Sequence, residues 1–177
     1  MRISLVILAG LCLSLLPLTA SGETYSSDRY GFSAAFPAEP VAGTPQGSET
    51  GAKGRFISNS VIFKTQVMGV YTAMVTVESY TVPMNIDTSA RLQMMVQIFA
   101  ADYGGRITSS KPGKLDDHRA RFFSYEKPDH SSGGNGVVVV VQDKLPRAYM
   151  AVSMHTALAS ESDIAALDKF VASFHVK

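Results

Sequence analysis

The chain has 177 residues, 46% of them hydrophobic and 18% charged, with 16 Lys+Arg against 15 Asp+Glu. That is the composition of a folded globular chain of ordinary domain size, and it excludes a disordered or fibrous one. A formal net charge of +1 supplies no bulk field for nucleic acid or anionic lipid.

The opening residues read as an export signal. Met1 and Arg2 precede an apolar run from Ile3 to Leu16, closed by Pro17 and followed by Leu18-Thr19-Ala20-Ser21-Gly22. One basic residue, a short apolar core and a small-residue exit are the parts of a signal peptide. The run of about 16 residues is shorter than the roughly 20 that a membrane-spanning helix needs. Small side chains at Ala20 and Gly22 place cleavage after Gly22. Cleavage after Ala20 is the alternative, weakened by the bulk of Leu18. Cys12 is the only cysteine. Leu11 before it is too large for a lipidation motif, so it reads as an ordinary apolar residue of the signal. Cleavage leaves 155 residues, with 15 basic and 15 acidic side chains and no cysteine. An exported chain of that kind relies on its core and not on disulfides, and about 150 residues suffice for that. The absence of Asn-x-Ser/Thr sequons leans toward a bacterial periplasm. The expected organisation is a signal at 1–22 and one globular α+β domain at 23–177.

Residues 24–29 are polar and read as a lead-in. Tyr30 to Phe36 alternates around Phe32 and Phe36 and ends at Pro37, which predicts a short strand. Residues 38–54, with Pro40 and Pro45 and Gly43, Gly47, Gly51 and Gly54, predict a long loop. Phe56–Val67 and Val70–Val82 predict two strands joined at Met68-Gly69, with Glu78 marking a face that meets water. Leu92, Met95, Phe99 and Tyr103 recur at helical spacing over 87–103, widened by Met94, Val96 and Ile98, and Gly104-Gly105 stops the helix. Arg106–Ser110 predicts a strand, Lys111 to Lys114 a turn, and His118–Tyr125 a strand. Residues 128–136 read as a polar loop, with Asn135-Gly136 as a tight hairpin turn. Five consecutive valines, Val137 to Val141, predict a strand buried on both faces. Arg147–Thr156 pairs back on it. Ser160 and Asp163 form a capping box, and Ile164, Leu167, Val171 and Phe174 give the stripe of a last helix. The fold class that follows is α+β, a mainly antiparallel sheet of about six or seven strands with helices packed on its faces.

Two fragments carry a resemblance. Tyr30 to Pro40, YGFSAAFPAEP, resembles the opening strand of the PsbP-like superfamily of small exported α+β domains. Phe170 to Phe174, FVASF, resembles the end of their last helix. The resemblance implies a sheet packed between helices and says little of function, since its members are mostly binding or assembly factors with different partners. No residue-level match carries a photosystem role to this chain.

A cysteine-free mature chain excludes thiol catalysis and cysteine-ligated zinc. There is no Gly-x-Ser-x-Gly elbow and no His-Glu-x-x-His. Asp116-Asp117-His118 is the best local constellation for a divalent cation or a proton relay. Such a site needs a distant histidine, His130 or His155, to come near, and a charged turn is the plainer reading. Asp129-His130-Ser131-Ser132 has the residue types of a hydrolase triad but in adjacent positions, which a triad does not use. His155 and His175 read as structural or surface histidines. Arg106, Lys111, Lys114, Arg119, Arg121 and Lys127 outnumber Asp116, Asp117 and Glu126, a mildly basic stretch open to an anionic partner.

The leading expectation is therefore a non-enzymatic exported domain that binds a protein or other envelope component, without metal, cofactor or nucleic acid. Its candidate surfaces are loop 38–54, loop 128–136 and the basic stretch 106–127. One alternative is a small hydrolase or metal-dependent enzyme built on Asp116, His118 and a distant histidine. Another is a carrier of a small apolar ligand, which requires space among Phe, Met and Val side chains.

Overall fold

A computed structural model describes residues 23–49, 56–83, 85 and 87–177. The signal reading of 1–22 and part of loop 38–54 lie outside these. In chain order the elements are β1 (Tyr25–Ser27), β2 (Phe32–Ala34), β3 (Val41–Ala42), β4 (Gln46–Glu49), β5 (Phe56–Val67), β6 (Tyr71–Tyr80), α1 (Thr88–Asp102), β7 (Arg106–Leu115), β8 (His118–Glu126), β9 (Ser132–Val141), β10 (Arg147–Thr156), α2 (Glu161–Ala172) and β11 (His175–Val176).

Eight strands form one antiparallel sheet in the order β3-β5-β6-β10-β9-β8-β7, with β4 also on β5. A small sheet, β1-β2-β11, joins the two ends of the described chain. The valine strand β9 lies between β10 and β8, inside the large sheet. Its side chains divide by parity. Val137, Val139 and Val141 pack with Phe32, Phe36, Leu167, Phe170 and Phe174 from α2 and the small sheet. Val138 and Val140 pack with Leu92, Val96 and Phe99 of α1. Alternating side chains on a two-sided strand demand this division.

Both helices carry the caps their sequences encode. Asp87 accepts from Ala90 N at 3.1 Å at the start of α1, and Gly104, at φ 62°, turns the chain out of it. Ser160 and Asp163 close a reciprocal capping box on α2. Each such cap is worth about 1 kcal/mol.

The structure corrects several boundaries. Residues 24–29 contain β1, and the loop 38–54 contains β3 and β4. Lys111 to Lys114 is not a turn but continues β7 to Leu115. Pro112 is tolerated there because β7 is an edge strand, and the Phe122 ring lies where a Cβ on Gly113 would be, 2.8 Å away. The turn comes later. Leu115 pairs with His118, and Asp116 and Asp117 have φ of 47° and 67°, the sign that a two-residue type I′ hairpin requires. Asn135-Gly136 is not a turn either. Both lie in β9, paired with Ser124 and Phe123. Gly134 and Gly136 serve close approach instead. A Cβ would stand 1.9 Å from the Ser153 carbonyl oxygen at Gly134, and 2.6 Å from the Phe123 ring at Gly136. The β8–β9 turn lies at 127–131, where His130 N donates to Lys127 O at 2.9 Å. Glu78 does not simply face water. It pairs with Arg91 of α1, and both side chains are largely covered.

Candidate functional site

The Asp116 turn sits at the tip of the β7–β8 hairpin, and its carboxylate reaches the end of the chain. Asp116 Oδ1 takes a hydrogen bond from His175 Nδ1 at 2.9 Å, and Oδ2 takes one from Val176 N at 2.9 Å. Burial pushes the Asp116 carboxyl up, but the His175 and Val176 hydrogen bonds and the His175 and His118 charges outweigh it and hold the group below the usual range. Lys177 completes the clasp, its ammonium donating to Asp28 at 2.6 Å and Ser26 at 3.0 Å, and its backbone N–H to Gly31 O at 2.9 Å. The histidine that reaches Asp116 is thus His175, and not His130 or His155. His118 reaches it only as a charge. Adjacent positions in the sequence gave no hint of this pairing, because the partners are 59 residues apart. Both Asp116 oxygens are occupied in closing the small sheet onto the large one. Among the described residues no group of three or more His, Cys, Asp or Glu side chains is placed to hold a metal ion.

The triad-like residues also go elsewhere. Asp129 Oδ1 accepts from Ser131 N at 3.0 Å and Ser131 Oγ at 2.7 Å, a local Asx turn. These bonds hold Asp129 below its ordinary pKa. His130, at φ 57°, hydrogen-bonds Glu126 instead of any serine. Glu126 is held low by that bond and by Arg106. Ser132 Oγ pairs with the Tyr125 hydroxyl at 3.0 Å. Among the described contacts no hydroxyl meets an imidazole that could take its proton, the geometry nucleophilic catalysis requires. His155 Nδ1 lies 3.4 Å from its own neighbour's carbonyl, Thr156 O.

The basic stretch becomes the β7–β8 ribbon, at the edge of the sheet. Arg106 is neutralised by Glu126 at 3.3 Å. Arg121 donates only to the neutral Ser110 Oγ at 3.1 Å. Register sets Lys114 directly opposite Arg119, both exposed. Like charges in that position repel. Among the described contacts Lys111, Lys114 and Arg119 take part in no ion pair. The ribbon and Lys127 after it carry six basic residues against Asp116, Asp117 and Glu126, a local positive excess in a chain of formal net charge +1.

No helix among the described residues is long and apolar enough to cross a membrane. No protein-family model matches the chain, and no curated protein matches it. Among solved structures, nine chains match. One is the solution structure of cyanobacterial PsbP (CyanoP) from Synechocystis sp. PCC 6803, with TM-score 0.52 and 15% identity, covering 95% of this chain and 98% of that one. At that identity the likeness shows architecture and not activity, and the architecture is PsbP-like, as the Tyr30–Pro40 and Phe170–Phe174 fragments implied.

Proposed function

We propose that this chain is an exported, non-enzymatic binding domain. Residues 1–22 are its signal, removed after Gly22, and residues 23–177 act as one folded unit in the periplasm or outside the cell. Its partner is an envelope protein met through the cationic β7–β8 ribbon. The observation that carries this reading is a contrast in how charge is used. The carboxylates and imidazoles that catalysis would recruit are bonded into turns and into the C-terminal clasp. Lys111, Lys114 and Arg119 have no such engagement. Exposed cations held in a fixed array steer association with an acidic surface and set its salt dependence.

The test is crosslinking in intact cells followed by capture and mass spectrometry, with wild type and with Lys114→Glu/Arg119→Glu. One reproducible envelope partner, lost in the charge-reversed form, is the expected result. A partner captured equally by both forms removes the ribbon from the interface. The intact mass of the secreted protein checks the signal reading. A chain beginning at Glu23 is expected, and one retaining Met1 overturns it.

A further inference from the structure

The two faces of the large sheet are covered unequally. α1 packs against β7, β8 and β9. Beside it, the same face of β5, β6 and β10 carries three side-chain rows set by the register. These are Gln66–Thr72–Met154, Lys64–Met74–Val152 and Ile62–Thr76–Met150. Arg91, Met95, Ile98 and Asp102 of α1 form the opposite wall of a groove of about 250 Å³ floored by Met74, Thr76 and Met150. Ile62 and Ile98, on its rims, are 43% and 48% exposed. Both line the same groove, so an apolar ligand seated there would cover them.

Met74 itself is 3% exposed and lies under Tyr103. Tyr103, whose hydroxyl donates to Met74 Sδ at 3.6 Å, also lines a second space of about 260 Å³ beyond the C-terminus of α1. That space is bordered by Gln66, Thr72, Tyr125, Lys127, Ser132 and Thr156, and no carboxylate lines it. The Asp129 carboxylate, which senses Lys127 from outside, is held by Ser131. The opposite end of the groove is closed by the Arg91–Glu78 pair.

We propose that the two spaces, which meet at Tyr103, together bind a single-chain amphiphile with an anionic head. The carboxylate or similar head lies at the Lys127, Tyr125 and Ser132 end, and the alkyl chain passes Met154, displaces the Tyr103 hydroxyl from Met74 and runs along Met150 toward Ile62. Charge complementarity selects the head, since Lys127 and the Tyr125–Ser132 hydroxyl pair border that end with no carboxylate among them, while Asp102 lies on the wall of the other space. Size selects the chain. A space of about 250 Å³ does not enclose a helix about 10–12 Å across. From Gln66 to Ile62 the groove runs about 13 Å along β5, at roughly 3.3 Å per residue, the reach of a medium-length alkyl chain. Four methionine thioethers in the floor and wall adapt to a flexible tail. The site shares none of Lys111, Lys114 or Arg119 with the ribbon, so it stands or falls separately from the partner reading.

The test is a titration of the mature protein, labelled at its methionine methyls, with decanoate and with decanol, followed by NMR. Decanoate below its micelle concentration is expected to shift Met74, Met95, Met150 and Met154. Lys127→Ala is expected to weaken decanoate about fivefold, the effect of losing about 1 kcal/mol, and to leave decanol unchanged. Ile62→Asp is expected to weaken both. Circular dichroism checks that each variant is folded, and both substitutions lie on exposed or half-exposed positions. The proposal is overturned if decanoate moves none of the four methyls, or if Lys127→Ala leaves decanoate binding unchanged. It is also overturned if the protein binds anionic phosphatidylglycerol vesicles but not monomeric decanoate, which would assign the surface to a membrane.

Discussion

The α2 face and the α1 face of the large sheet bury their side chains to different ends. On the α2 face, Phe32, Phe36, Phe170 and Phe174 are each at most 2% exposed, and Tyr25, Phe32 and Phe63 interlock edge to face and tilted at centroid distances of 4.9–6.0 Å. That face takes cover from a helix and a second sheet together. On the α1 face a single helix is the cover: Ile62 of β5 stays 43% exposed beside it, and Ile98 and Tyr103, on the helix and its C-cap, are 48% and 38% exposed. Both faces hold a buried cluster, but the α1 face also keeps Ile62 and Ile98 partly open beside it.

The comparison breaks most readily at the covered face. Phe170→Ala is expected to cost about 3–5 kcal/mol, read as a lower urea midpoint with unchanged slope. A loss below about 1 kcal/mol would mean that this face collapses around the cavity and is not the rigid one. Leu92→Ala, on the α1 face but under the helix, is expected to cost about 2–4 kcal/mol by the same mechanism. A smaller loss there than at Phe170 sharpens the contrast, because the open groove gives neighbouring side chains room to relax.

The clasp between the faces gives the next effect. Asp116→Asn keeps a residue tolerant of positive φ but removes a carboxylate held by His175 and Val176, and is expected to cost about 1 kcal/mol at pH 7. Since the Asp116 pKa is lowered in the folded state, its contribution is fully present above the unfolded aspartate value of about 3.9 and fades as pH falls through the folded value. The stability difference between wild type and Asp116→Asn should therefore close below about pH 4. A gap that persists at low pH would show that the turn, and not the ion pair, is at stake. The smallest effect is expected on the open side. Ile98→Ser should change stability by less than about 0.5 kcal/mol while weakening decanoate binding, and a large loss of stability there would mean that the groove is part of the core.

The sequence by itself determined much of this protein. Its period-two runs located the long strands β5, β6, β8 and β10, and its 3.6-residue stripes and caps located both helices within one or two residues. Five adjacent valines announced a strand covered on both faces, since no other arrangement hides every one of them. By pattern alone Met94, Val96 and Ile98 read as a wider core stripe, whereas only Val96 of these is buried and Met94 and Ile98 stay 42% and 48% exposed. Tertiary structure decided what local pattern cannot encode. Lys111 to Gly113 carries turn residues, yet an edge position and the Phe122 ring keep it extended. Asn135-Gly136 has hairpin chemistry, yet Phe123 and Ser153 need those positions without side chains. His175 and Asp116 have no sequence relation and meet only because β11 closes the small sheet beside the β7–β8 tip. Local rules govern what a segment prefers, while a close approach between distant strands depends on the whole chain being in place.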